Sequence, residues 1–102
     1  MKREIRILPF LDSPSLRVGR AFASRQALSR VSHASLMLAL KRHERADWGE
    51  VDPLTWKTND EALWRGTEVV SAYEDEKRNR FRVITQLDRA RTRIVLDEED
   101  GD

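Results

Sequence analysis

A chain of 102 residues holds one domain, and a domain of that size buries a workable core without covalent staples. It contains no cysteine, which excludes disulfides and zinc–thiolate sites and fits a reducing, cytoplasmic setting. Its net charge of +1 conceals a split: residues 1–45 carry ten Lys/Arg against three Asp/Glu, and residues 46–102 carry nine against fifteen.

The N-terminal stretch MKREIRILPFL mixes charges into its apolar residues and reads as a first strand over 4–10 rather than a signal peptide. LDSPSLRVGR (11–20) is turn-rich through Asp12, Ser13, Pro14 and Gly19. Ser24 then stands as an N-cap for a short helix over 25–31, with Ala27, Leu28 and Val31 inward. A second helix is expected over 34–45. Leu36, Leu40 and His43 share one side, Met37 and Leu38 broaden the apolar stripe, and basic residues crowd the last turn, where cations suit the helix dipole. The run LMLAL at 36–40 is far short of the roughly 20 residues of a membrane span. Gly49 breaks the chain after this helix, and Trp48 is expected to fill a gap against it.

Asp52 followed by Pro53 supplies an N-cap acceptor and a pre-set φ, so a third helix starts at 53 and runs to 65, where Gly66 stops it. The remainder reads as a meander of strands over 68–74, 80–87 and 91–96, and the acidic tail 97–102 is expected to fray beyond a single domain over 1–96. The predicted class is therefore α+β: two to three N-terminal helices packed on a three- to four-stranded antiparallel β-meander. The expected core is Leu28, Leu36, Leu40, Leu63, Val83, Ile84 and Ile94.

Strand alternation gives the candidate binding face. If Phe81, Val83, Thr85, Thr92, Ile94 and Leu96 cover the helices, then Arg80, Arg82, Arg91 and Arg93 form one stripe on the opposite face. A row of fixed cations is what a polyanion or an acidic protein surface requires. Glu68 and Glu74 on the neighbouring strand are the natural intramolecular partners for the same arginines. Trp56 and Trp64 are core or rim residues, and an exposed one would anchor a protein contact. His33 and His43 are ten positions apart, not a metal-binding pattern, and no cofactor motif or nucleophile elbow is present.

From Ala23 onward the order of RHERADWG (42–49), Asn59-Asp60-Glu61-Ala62-Leu63, Gly66, SAYE (71–74) and RFRVITQLDRARTRIVL (80–96) resembles a family of small uncharacterised proteins. These are carried by plasmids and integrative elements and bear loose labels such as plasmid-related protein or type I restriction subunit. After Asp88-Arg89 the chain departs from that pattern, with Ala90, Arg91, Arg93 and Asp97 where the family continues with small hydroxyl residues and a proline. The resemblance implies no established activity and points to the conflict between mobile elements and their hosts. Two functions follow. One is a non-enzymatic binder of anti-restriction or anti-CRISPR type, monomer or weak homodimer, favouring a protein partner over nucleic acid, with no cofactor and no membrane. The other, by fold-level analogy with barnase and the toxin ribonucleases, is a small metal-independent ribonuclease whose site would draw on His43, Tyr73, Thr85, Arg89 and Thr92.

Overall fold

The computed structural model describes residues 16–86 and 91–99. The strand expected over 4–10 lies outside them, as do Leu87 and Arg89. In chain order the elements are β1 (Arg20–Ala23), α1 (Arg25–Arg30), α2 (His33–Glu44), α3 (Pro53–Arg65), β2 (Val69–Glu74), β3 (Arg80–Thr85) and β4 (Arg91–Leu96), ending in a 3-10 turn (Asp97–Glu99).

Local chemistry sets the helix ends. The Ser24 hydroxyl accepts from the Ala27 amide at 3.0 Å, the Ser32 hydroxyl from Ser35 at 3.1 Å and the Asp52 carboxylate from Thr55 at 2.7 Å. Pro53 opens α3, and Gly66 closes it in the left-handed region at φ 73°, its amide bonded to the Ala62 carbonyl.

The α+β class holds, with one correction: the sheet is mixed. Its order is β1-β4-β3-β2, antiparallel across β2, β3 and β4 but parallel between β1 and β4. The turn signals of 11–20 reach Arg20, and residues 21–23 carry no strand assignment from sequence. Gly19 does turn the chain, at φ 63°, but it delivers RAFA directly to the edge of β4. After β4, residues 97–99 form a 3-10 turn in which Glu99 Oε2 accepts from the Leu96 amide at 2.7 Å and the Ser24 hydroxyl at 2.6 Å.

Two apolar clusters fill the space between helices and sheet. One gathers Ala27, Val31, Leu36, Ala39, Tyr73, Phe81, Val83, Ile94 and Leu96; the other gathers Leu16, Val18, Trp48, Ala62 and Val69. Partly buried Leu40 packs against both, and Leu63 against the second. Leu28, expected inside, is 60% exposed. A six-residue helix presents one narrow face, and Ala27 and Val31 occupy it. Met37 and Leu38 likewise point outward, because α2 buries Leu36, Ala39 and His43.

The outer edge of β2 is closed. Asn59 uses its side-chain amide as a strand would, donating to the Val70 carbonyl at 2.8 Å and accepting from the Val70 amide at 3.2 Å. The backbone of 48–50 completes the edge, with Ala72 N–H donating to Trp48 O and Glu50 N–H donating to Ala72 O. Gly49 makes this approach possible at φ 77°.

Candidate functional site

The arginine stripe is built from register. Arg80 lies opposite Glu74, Arg82 opposite Ala72 and Val95, Arg93 opposite Ile84 and Phe22, and Arg91 opposite Arg20. Cross-strand partners share a face, so β1, β3 and β4 place Arg20, Arg80, Arg82, Arg91 and Arg93 on the side away from the helices. Arg20 and Phe22 belong to this face and are missing from the sequence-derived stripe. Their signal was the large–small alternation of RAFA just before the Ser24 cap.

The face is not uniformly solvated. Arg80 and Arg91 are exposed, whereas Arg82 and Arg93 are half-buried beside Ile84 and Val95, which are 3% and 5% exposed. Among the described residues, Arg82 Nε and Nη2 and Arg93 Nε are buried donors with no hydrogen-bond acceptor. Asp97 Oδ1 approaches Arg82 Nε only to 3.6 Å, too far for a hydrogen bond, and Glu50 approaches Arg80 at 3.8 Å. Glu74 stands across from Arg80 in register, yet the ion pair shown for Arg80 is to Glu50.

Of the ribonuclease candidates, His43, Thr85 and Thr92 come together, but inside the core, and Arg89 lies outside the described residues. His43 Nδ1 lies 2.5 Å from Ser71 Oγ and its Nε2 lies 2.7 Å from Thr85 Oγ1. Thr85 Oγ1 is 2.8 Å from Thr92 Oγ1, which donates to the Val18 carbonyl at 2.6 Å. That carbonyl fixes the polarity of the chain as far as His43 Nε2. Thr92 spends its proton on Val18, so Thr85 donates to Thr92 and His43 Nε2–H donates to Thr85, while Ser71 closes the chain at Nδ1. His43, Ser71, Thr85 and Thr92 are each 0% exposed, and the His43 ring meets Trp48 edge-on at 5.6 Å. A substrate phosphate has no path to these side chains in this structure.

Comparisons with protein-family models, curated proteins and solved structures returned no match. The likeness to the plasmid-borne family rests on motif order alone.

Tyr73 borders the network at Ser71 and is tied to the loop beyond it. Its hydroxyl donates to the Asp47 carbonyl at 2.6 Å, and the Arg42 guanidinium lies 4.7 Å from its ring centroid. Arg42 also holds Asp47 bidentately, at 2.8 and 3.2 Å, which keeps that carboxyl below the usual carboxylate range. Burial pushes the Tyr73 hydroxyl up to about 12. Because the folded value lies above the unfolded one, its contribution to stability is complete below pH ~10 and is lost as pH rises through about 12. Tyr73 is the single tyrosine of the chain, so tyrosinate absorbance reads it directly. The expected alkaline titration lies well above pH ~10 and coincides with unfolding. A titration of the folded protein near pH ~10 would contradict the burial argument.

Trp64 is 91% exposed on α3, while Trp56 packs partly into the second cluster. Among the described residues, no group of three or more histidines and carboxylates is placed to hold a metal ion, and no helix is long and apolar enough to cross a membrane.

Proposed function

We propose that this chain is a non-enzymatic binding protein that docks an acidic surface of a protein partner against the outer face of its sheet. The observation that carries this reading is the set of guanidinium donors on Arg82 and Arg93 that have no acceptor. An unsatisfied buried donor costs about 1–3 kcal/mol, more when charged, and a carboxylate supplied by a partner removes that cost. Exposed Arg80 and Arg91 extend the cationic row on either side, and Trp64 offers a separate aromatic anchor. A protein is favoured over nucleic acid because Asp97, Glu98 and Glu99 follow directly on β4 beside the arginines: a protein surface can set cations against them next to its acidic patch, whereas a polyphosphate is anionic throughout. The motif resemblance extends the proposal to a component of a host defence complex as the partner.

The test is affinity capture from host lysate, with and without nuclease, by the wild type and by an Arg80→Glu/Arg91→Glu variant. Both substitutions fall at exposed positions and leave the fold intact. Capture that survives nuclease and is lost on charge reversal is expected. Oligonucleotides should bind weakly at about 0.15 M salt, and any binding through four arginines should weaken with salt at a log–log slope of about −3 to −4. Submicromolar oligonucleotide binding lost in the same variant would move the assignment to nucleic acid. Multiple-turnover cleavage of RNA by the folded wild type would overturn the non-enzymatic reading.

A further inference from the structure

Among the described residues, the opposite edge of the sheet from β2 is open. In a parallel pair, the N–H and C=O of one residue point the same way, and successive residues alternate. The Ser24 amide donates to the Ile94 carbonyl at 2.9 Å, so Phe22 and Arg20 also turn their amides toward β4. Ala21 and Ala23 therefore turn theirs outward, and among the described residues nothing pairs with them. Arg20, Ala21 and Phe22 are all exposed.

Beside this edge lies an apolar groove of about 190 Å³, lined by Ala21, Phe22, Ala23, Leu28, Met37 and Ile94 among others, none of them acidic. Phe22, Leu28 and Met37 are 48%, 60% and 42% exposed, so three large apolar side chains meet water around one concavity. Cations stand on the other face of the same edge: the guanidiniums of Arg20 and Arg91 lie 5.8 and 6.0 Å from the Phe22 ring centroid.

We infer that β1 receives an extended segment of a partner protein as an added strand, with alternating apolar and acidic side chains. The outward amides of Ala21 and Ala23 supply the main-chain ladder, the groove takes the apolar side chains, and Arg20 and Arg91 meet the acidic ones. Charge decides against a second copy of this chain, since self-pairing would bring the Arg20 and Arg91 of both copies together. The inference rests on the β1 edge and takes only Arg20 and Arg91 from the arginine face, so it does not require Arg80, Arg82 or Arg93 to bind.

The probe is a labelled peptide of about eight residues alternating Val and Glu, a typical strand length. Val/Lys and Ser/Glu peptides of the same length are the controls. Fluorescence anisotropy reads binding, and amide hydrogen exchange reads the edge. The Val/Glu peptide should bind about tenfold tighter than either control and slow exchange at Ala21 and Ala23. Ala21→Pro removes an outward donor without touching the β4 pairing, and Leu28→Glu places a repelling charge at an exposed groove position. Each should weaken binding about tenfold, while Arg80→Glu should not. Equal binding of the three peptides, unchanged exchange at Ala21 and Ala23, or wild-type affinity in Leu28→Glu would overturn the inference. So would concentration-dependent dimerisation abolished by Ala21→Pro, in favour of self-pairing. Should Ala21→Pro fail to fold, the wild-type exchange and the Leu28→Glu affinity decide.

Discussion

Gly49→Ala is expected to cost about 4 kcal/mol or more, at the upper end of single substitutions. A Cβ at this position would sit 2.0 Å from the Ala72 carbonyl oxygen and 2.7–2.8 Å from the Tyr73 ring. Neither neighbour can yield. The carbonyl is the acceptor that ties Glu50 to β2, and the ring is buried, with its hydroxyl tied to Asp47. The backbone is also left-handed here, at φ 77°, a further cost of about 1–2 kcal/mol for a residue with a Cβ. Gly66→Ala separates the two effects. Its φ of 73° is similar, but nothing lies within 4 Å of the added methyl, so only the backbone cost of about 1–2 kcal/mol remains. Urea denaturation of both variants, compared at equal m, measures the difference. A smaller loss for Gly49→Ala than for Gly66→Ala would show that β2 and the 48–50 segment separate easily.

His43→Ala should cost a similar amount, about 4 kcal/mol, by a different route. It leaves a void beside Trp48 and takes a hydrogen-bond partner from Ser71 and the donor from Thr85, both 0% exposed. Thr92→Val tests the polarity of the chain at its far end. It strands the Val18 carbonyl and deprives Thr85 of an acceptor, for a loss of about 1–3 kcal/mol, while Thr92→Ser keeps the hydroxyl and most of the stability. A His43→Ala loss below about 1 kcal/mol would mean that water enters the site and satisfies the network.

Features decided within a few residues were legible in the sequence. Ser24, the Asp52-Pro53 pair and Gly66 act through atoms no more than four positions away, and each sits where the sequence puts it. Alternation in β3 and β4 likewise places Phe81, Val83 and Ile94 inside and Arg80 and Arg91 outside. What was illegible depends on distant partners. Nothing local to RAFA announces that its ladder is Arg91–Ile94, and the role of His43 is set by Thr85, 42 positions further on. The same holds for the arginine face: sequence marks Arg82 and Arg93 as outward, but not that burial beside Ile84 and Val95 strips their donors of acceptors.

Asn59 has a consequence for behaviour at high concentration. A sheet with two bare margins is a monomer for indefinite stacking, because each added copy exposes the same margin again. Here the Asn59 amide and the Trp48–Glu50 backbone occupy the groups that Val70 and Ala72 would offer on one margin. Among the described residues only the β1 margin is left for strand pairing, so an addition there ends in a discrete complex. Removing the Asn59 side chain would free the Val70 groups while the Trp48–Glu50 backbone still covers Ala72, so the second margin would open only in part.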